Sequence, residues 1–91
     1  MFEISYSEKF FSGVAGYKKS VQQQALKKIN ALLQELAQHP TTGTGKPERL
    51  KGYDGEVYSR RIDQKNRLIY EIFEAEQRID VISCHGHYDD K

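Results

Sequence analysis

The chain has 91 residues, of which 37% are hydrophobic and 30% are charged, so it can form one modest core beneath a very polar surface. This composition excludes a disordered chain, and no run of residues approaches the roughly 20 apolar positions of a membrane span. The first residues lack the basic and apolar regions of an export signal, and the single cysteine, Cys84, cannot form an internal disulfide. We therefore expect one cytoplasmic domain over residues 1–91, without membrane association.

The net charge of +1 is the sum of three segments that differ in sign. Residues 1–42 contain five Lys and three acidic residues, and residues 43–70 contain seven Lys/Arg and four acidic residues. Residues 71–91 contain two basic and six acidic residues. This distribution suits one aimed phosphate contact but not a broad nucleic-acid footprint. It disfavours a plain RNA-binding module, which would carry a basic stripe interleaved with exposed aromatic residues.

The first half of the chain predicts one strand followed by two helices. Residues 2–6 alternate between apolar and polar, which is typical of a strand with one buried face. Ser7 is suited to cap a helix that continues to about residue 19. Ser20 and Gln23 form a capping-box pattern that predicts a second helix beginning at Ser20, and Pro40 stops that helix. Its apolar stripe consists of Val21, Ala25, Ile29, Leu32, Leu33 and Leu36.

The second half predicts a loop over residues 40–47 and then four extended segments, at 48–51, 56–63, 66–73 and 78–85. The alternation in the middle pair places Ile62 opposite Leu68 and makes Gln64–Asn66 a three-residue hairpin loop, with Asn66 in the left-handed conformation. Arg61 and Arg67 then share the outer face of this hairpin. The buried face is predicted to contain Tyr58, Ile62, Leu68, Tyr70 and Ile72.

Two local patterns suggest ligand sites that the spacing does not support. Gly43 to Lys46 resembles a phosphate-binding loop, but Pro40 occupies the position of the first glycine and Pro47 that of Ser or Thr. We interpret this segment as a flexible basic loop. Cys84 and the two histidines that follow it have metal-ligand chemistry, yet no second ligand pair occurs elsewhere in the chain. We expect no metal and no cofactor.

A series of short motifs occurs in a fixed order through the second half of the chain. The motifs are Gly43-x-Gly45-Lys46-Pro47-Glu48, Leu50-Lys51, Ser59-Arg60-Arg61-Ile62, Arg67-Leu68-Ile69-Tyr70 and Cys84-x-x-His87-Tyr88. This set resembles the YoeB/Txe family of bacterial toxin endoribonucleases, a branch of the RelE superfamily. The resemblance implies a small RelE-like α+β domain, with an antiparallel sheet and two N-terminal helices packed on one face. That fold agrees with the order of elements predicted above.

The resemblance also implies the activity and the partners. Members of this family are toxins of type II toxin–antitoxin systems that cleave messenger RNA in the decoding site of the ribosome, and a cognate antitoxin silences them. A homodimer within the toxin–antitoxin complex is left open, as are the codon preference and the docking surface of the antitoxin.

The resemblance assigns roles to six residues, namely Glu48, Lys51, Arg61, Arg67, His87 and Tyr88, and we add Lys46 and Lys65 from the two basic loops. Glu48 is the expected general base for the RNA 2′-hydroxyl, and His87 the expected acid for the leaving 5′-oxygen. Arg67 is expected to neutralise the pentavalent phosphate and Tyr88 to orient it or to stack on a base. The expected products are a 2′,3′-cyclic phosphate and a 5′-hydroxyl, formed without metal. The expected RNA-binding residues are Lys46, Lys51, Arg61 and Lys65.

The chain departs from the family pattern at three places. Arg49 stands where proline is common, His85 stands where a basic residue is common, and Asp89-Asp90-Lys91 extends past the usual terminal tyrosine. These departures leave one alternative, a catalytically weak or inactive interaction protein of the same fold that binds its antitoxin or another target. A purely binding protein would not need the four expected catalytic residues together, so we favour the nuclease.

Overall fold

The computed structural model describes residues 1–85, in which a five-stranded sheet carries two helices on one face. The strands lie in the order β1-β5-β4-β3-β2. Strands β2 to β5 are antiparallel, whereas β1 pairs with β5 in parallel, so the sheet is mixed. The predicted α+β class and RelE-like arrangement are confirmed. The elements are β1 (Glu3–Tyr6), α1 (Glu8–Lys19), α2 (Gln23–Leu36), β2 (Glu48–Arg49), β3 (Glu56–Arg61), β4 (Arg67–Phe73) and β5 (Arg78–Ser83).

The first helix begins at the predicted cap. The Ser7 hydroxyl accepts a hydrogen bond from the Phe10 amide at 3.0 Å and donates to the Ile82 carbonyl, which ties the start of α1 to β5. Tyr17 near the other end donates its hydroxyl proton to the Cys84 carbonyl at 2.7 Å. Burial raises the pKa of this phenol, so it stays a donor.

The predicted start of the second helix is wrong. Ser20 is the C-terminal cap of α1, and its amide and hydroxyl both donate to the Gly16 carbonyl, at 3.1 and 2.9 Å. Val21 has a positive φ of 56° and is 72% exposed, so it does not belong to the buried stripe. The second helix begins later than predicted because the chain reverses direction between the two helices. Residues 20–22 form that turn and belong to neither helix. The remaining stripe is buried or half-buried at Ala25, Ile29, Leu32, Leu33 and Leu36.

The core lies between the two helices and the inner face of the sheet. The strand residues predicted to share that face do so, and Tyr58 packs against the cluster at its margin. No helix in residues 1–85 is long and apolar enough to cross a membrane. The buried cluster consists of Phe10, Tyr17, Ala25, Ile29, Leu32, Leu36, Ile62, Leu68, Tyr70, Ile72, Ile79, Val81 and Cys84.

The predicted register between β3 and β4 is wrong by two residues, although the predicted faces are right. Arg61 pairs directly with Arg67, and the turn is Asp63 to Lys65. The Asp63 carboxylate accepts from the Lys65 and Asn66 amides at 2.9 and 2.8 Å, and Asn66 has no positive φ. A two-residue shift keeps every side chain on its face, so hydrophobic alternation could not distinguish the two registers.

Candidate functional site

Three of the predicted site residues lie on the sheet face opposite the helices. Glu48 on β2 pairs with Ser59 on β3, and Arg61 on β3 pairs with Arg67 on β4. Paired residues in adjacent strands point to the same face, and so do residues two apart in one strand. The strands therefore bring Glu48, Arg61 and Arg67 together on one open surface, which we call the outer face.

The ladder fixes how far apart these residues stand. Strand spacing of roughly 4.8 Å and a rise of about 6.7 Å per two residues place the Glu48 and Arg67 Cα atoms about 12 Å apart. Glutamate and arginine side chains are long enough to extend toward each other across this distance and to contact one phosphate group between them. Glu48 and Arg61 are exposed and Arg67 is half-buried, so all three can meet a ligand.

The outer face has a floor of buried side chains that begins between these charged residues and continues toward Glu71. Val57 and Ile69 are 2% and 4% exposed, yet neither belongs to the core cluster under the helices. Ser59 and Ser83 are buried in the same way, and Ile69 pairs with both of them. Sequence reasoning missed this floor, although the alternation in β3 and β4 already placed two apolar residues opposite the core.

Arg67 is braced by the turn beside it. Its Nη1 donates to the carbonyl oxygens of Asp63, Gln64 and Asn66 at 3.1, 3.4 and 3.2 Å. Burial raises the pKa of the Asp63 carboxyl, but hydrogen bonds from Asn66 and Lys65 lower it by more, so this carboxyl stays ionised and holds the turn. The turn thus fixes one edge of the Arg67 guanidinium.

The predicted lysines fall into two groups. Lys46 is exposed and directly follows Gly45, whose carbonyl accepts from the Arg61 amide at 2.7 Å. Lys65 is exposed at the tip of the β3–β4 hairpin that carries Arg61. Lys51 lies in the turn at the opposite end of β3, so the structure does not bring it beside Arg61.

The far end of the outer face is acidic. Glu71 on β4 pairs with Asp80 on β5, and Phe73 pairs with Arg78. The Arg78 guanidinium lies 4.3 Å from the Phe73 ring centroid and donates to Asp80 at 2.9 Å. The hydrogen bond to Asp80 raises the pKa of Arg78, so Arg78 stays charged and forms an ion pair with that carboxylate. The outer face therefore has one basic end, around Arg61 and Arg67, and one acidic end.

The loop before β2 is anchored rather than flexible, which corrects the prediction. Arg60 is fully buried and donates to the carbonyl oxygens of His39, Thr42 and Thr44, and Tyr70 donates its hydroxyl proton to the Pro40 carbonyl at 2.7 Å. Sequence reasoning did not assign Arg60 a role. The available signal was the alternation in β3, because Arg60 lies two residues from both Tyr58 and Ile62 and so shares their core-facing side. An arginine on that side must be buried and paired.

The last motif contains two predicted catalytic residues, His87 and Tyr88, and also Cys84, for which no site role is predicted. His87 and Tyr88 lie outside the described residues. Cys84 is buried, with Sγ 3.6 Å from the Phe10 carbonyl, and burial raises the pKa of its thiol to about 11, which makes it a poor nucleophile. Residues 1–85 contain no group of three or more His, Cys, Asp or Glu that could hold a metal ion.

A family model matches residues 6–88 and is described as the YoeB-like toxin of bacterial type II toxin–antitoxin systems. The chain belongs to this family. The match extends over all eight residues singled out in the sequence, including His87 and Tyr88, which the structure does not describe. The predicted family is thus confirmed, and the protein is a toxin of a type II system.

Individual relatives agree with the family assignment. Toxin YoeB from Synechocystis sp. is 44% identical over 63 residues, which are 69% of this chain and 71% of that protein. The solved YoeB/ParE toxin from Agrobacterium tumefaciens has a TM-score of 0.86 and 30% identity, covering 96% of this chain and all of that one. The toxin in the heterotetrameric YoeB–YefM toxin–antitoxin complex from Staphylococcus aureus has a TM-score of 0.79 and 32% identity, covering 97% and 99%.

Proposed function

We propose that this toxin is a ribosome-dependent endoribonuclease that cuts messenger RNA without a metal or other cofactor. The observation that supports it most is the outer face, where the strand pairings put a carboxylate and two arginines on one side of the sheet, within reach of a common phosphate. Membership of the YoeB-like family supports it independently.

The proposed chemistry uses the 2′-hydroxyl of the RNA as the nucleophile. Glu48 takes the proton of that hydroxyl, the oxygen attacks the adjacent phosphorus, and Arg67 neutralises the charge on the pentavalent phosphate. His87 gives its proton to the departing 5′-oxygen, and Tyr88 orients the phosphate or stacks on a base. The bond from phosphorus to the 5′-oxygen breaks, leaving a 2′,3′-cyclic phosphate and a 5′-hydroxyl.

The need for a ribosome follows from the charge on the outer face. Acid–base catalysis raises the cleavage rate about 10²- to 10⁴-fold. In-line positioning lowers the activation barrier by roughly 7 to 11 kcal/mol, which corresponds to a larger factor in rate, so positioning is the larger contribution. At the far end Arg78 is already paired with Asp80, and Glu71 leaves that end acidic, so phosphate contacts are confined to the basic end around Arg61 and Arg67. We infer that the decoding site of the ribosome supplies the alignment that this small face cannot.

An antitoxin partner belongs to the same proposal. The Staphylococcus aureus relative is a heterotetramer with YefM, and it resembles this chain over nearly its full length. We propose that this toxin binds a cognate antitoxin protein, with a toxin homodimer within the complex as one arrangement. Light scattering of the co-purified complex measures the stoichiometry.

The test is a cleavage assay with purified toxin and one defined messenger RNA, with and without translating bacterial ribosomes. We expect fast cleavage only with ribosomes, and Glu48→Gln should lower the rate about 10²- to 10⁴-fold. Glu74→Gln, an exposed carboxylate in the β4–β5 turn, is the matched control and should cleave at the wild-type rate. Mapping of the RNA ends should find cyclic phosphate and 5′-hydroxyl termini.

Three outcomes contradict the proposal. Equal rates with and without ribosomes would remove the ribosome from the mechanism, and a fully active Glu48→Gln would remove the general base. A wild-type protein that binds antitoxin but cuts no RNA under any condition would favour the alternative, a binding protein of the same fold.

A further inference from the structure

The strand that carries Glu48 has little support of its own. β2 is two residues long, both are exposed, and within residues 1–85 it lies at the edge of the sheet and pairs with β3 alone. Two pairs, Glu48 with Ser59 and Arg49 with Tyr58, make up its ladder. A general base must be held within a fraction of an ångström, so Glu48 needs support from outside the ladder.

The preceding loop receives that support from inside the core. The Arg60 side chain crosses from β3 beneath the loop, and Nη2 donates to the Thr42 carbonyl at 2.8 Å and also to His39. Nη1 donates to Thr44 at 3.3 Å, and Nε donates to the Tyr70 hydroxyl at 3.0 Å. One planar guanidinium thereby fixes three carbonyl groups of the loop at once.

A second anchor comes from helix α2. One oxygen of the Glu35 carboxylate accepts from the Thr44 amide at 2.9 Å and from Arg60 Nη1 at 2.8 Å, and the other accepts from the Thr44 hydroxyl at 3.3 Å. The hydrogen bond from the Thr44 amide, followed by the remaining Thr44 and Arg60 contacts, keeps the pKa of Glu35 below its ordinary value despite desolvation. The charge pair therefore persists at neutral pH.

The anchored loop leads directly into β2. Gly45 accepts from the Arg61 amide at 2.7 Å, and a Cβ built on Gly45 would lie 3.1 Å from the Arg60 Cβ. Gly43 is as tightly fitted, because a Cβ there would lie 2.7 Å from the Glu35 carboxyl carbon. After Lys46 and the conformationally fixed Pro47, the next residue is Glu48.

We propose that Glu35 and Arg60 are positioning residues that set the Glu48 carboxylate, acting through the anchored loop from residue 39 to residue 45. The inference rests on the proposed function, because it presupposes that Glu48 acts in RNA cleavage. A misplacement of about 1 Å costs up to roughly 10²-fold in rate, and β2 still has its ladder, so we expect a loss of about 10-fold in kcat. KM should not change, since neither residue contacts RNA.

The test substitutes the half-exposed anchor rather than the buried one. Glu35→Ala removes both acceptor oxygens and the counter-ion of the buried Arg60, while Arg60 keeps its hydrogen bonds to the loop carbonyls and to Tyr70. Urea unfolding of the variant, compared with wild type, should show that it is folded under the assay conditions. Its kcat on ribosomes should fall about 10-fold with KM unchanged, and Glu35→Gln, which keeps one acceptor, should recover part of the rate. Glu76→Ala, an exposed carboxylate in the β4–β5 turn, is the matched control and should match wild type.

Two further readouts separate positioning from a general loss of stability. In a Glu48→Gln background, Glu35→Ala should have no added effect on the residual rate, because the base that it positions is already absent. Hydrogen exchange of the Arg61 amide, which bonds to Gly45, should become faster in Glu35→Ala while amides in β4 keep their protection.

The outcomes distinguish this inference from the proposed function. The expected loss of about 10²- to 10⁴-fold in Glu48→Gln, together with wild-type activity in Glu35→Ala, would overturn the positioning role alone. Additive losses in the double variant, or a rise in KM at unchanged kcat, would overturn it as well. A fully active Glu48→Gln would instead contradict the proposed function.

Discussion

Arg60 and Arg61 are neighbours in β3, yet they lie on opposite faces of the sheet and in opposite environments. Arg60 is fully buried and donates to Glu35, to Tyr70 and to three loop carbonyls. Arg61 is exposed beside Arg67 on the outer face. The same side chain therefore stabilises the fold on one face and is available to a ligand on the other. The alternation of a strand is enough to separate the two roles.

The two faces differ in the same way as a whole. Under the helices, the cluster is apolar, and in residues 1–85 no buried side-chain nitrogen or oxygen lacks a hydrogen-bond partner. The outer face instead has a narrow buried floor bordered by a basic end and an acidic end. Substitutions on the outer face should change activity with little effect on stability. Substitutions of buried residues on the helix side should change stability, and those at the loop anchors Glu35 and Arg60 should change activity as well.

The largest stability effect is expected for Arg60→Met. This change leaves three loop carbonyls and the Tyr70 hydroxyl without their donor. Each buried polar group left without a partner costs about 1 to 3 kcal/mol, so we expect a total loss of about 3 kcal/mol or more. Urea unfolding followed by circular dichroism measures the change. Arg61→Met is the control and should change the unfolding free energy by no more than about 0.5 kcal/mol. Similar losses in both variants would contradict the separation of the faces.

A smaller effect is expected for Tyr70→Phe. The hydroxyl both accepts from Arg60 at 3.0 Å and donates to the Pro40 carbonyl at 2.7 Å, so its removal leaves a buried donor and a carbonyl unpaired. We expect a loss of about 1 to 3 kcal/mol in the same unfolding experiment. Tyr58→Phe, on the adjacent strand and half-exposed, should lose less than about 0.5 kcal/mol. A Tyr70→Phe variant as stable as wild type would show that the loop does not depend on this hydroxyl.

The faces were predictable from the sequence, but the register was not. Alternation placed Ile62 and Leu68 inward and Arg61 and Arg67 outward, and all four are found there. The same alternation is satisfied by registers two residues apart, and the choice depends on the Asp63 carboxylate accepting from two amides of the turn. A side-chain cap of this kind leaves no periodic signal.

The site was predictable only in its outer residues. Glu48, Arg61 and Arg67 came from motifs, whereas the Arg60 anchor depends on contacts between residues 16 to 25 positions apart. The prediction that the second helix begins at Ser20 was wrong for a related reason. A serine can cap the start of one helix or the end of another, and Ser20 caps the end of α1. Local sequence patterns do not show which partner a polar side chain will find.

The smallest effect is expected for the contribution of Glu35 to the free energy of unfolding at acid pH. The pKa of Glu35 is lowered in the folded chain, so its stabilisation is complete above its ordinary pKa of 4.5 and disappears as the pH falls through the lowered value. Unfolding of wild type and Glu35→Gln should therefore converge as the pH drops below that point. The Asp63 carboxyl, whose pKa is also lowered, is present in both proteins and cancels in the difference. A difference that grows toward low pH would contradict the ion pair with Arg60.

The most direct test of the outer face as the RNA-cutting surface is the rate of ribosome-dependent cleavage by Arg67→Gln relative to Arg49→Gln. Arg67 lies on the outer face, whereas Arg49 is exposed and pairs with Tyr58 on the opposite face. Arg67→Gln should lose about 10²- to 10³-fold in kcat, the range for removing one preorganised charge contact, while its unfolding midpoint stays near that of wild type. Arg49→Gln should cleave at the wild-type rate. Equal activity in the two variants would contradict the account.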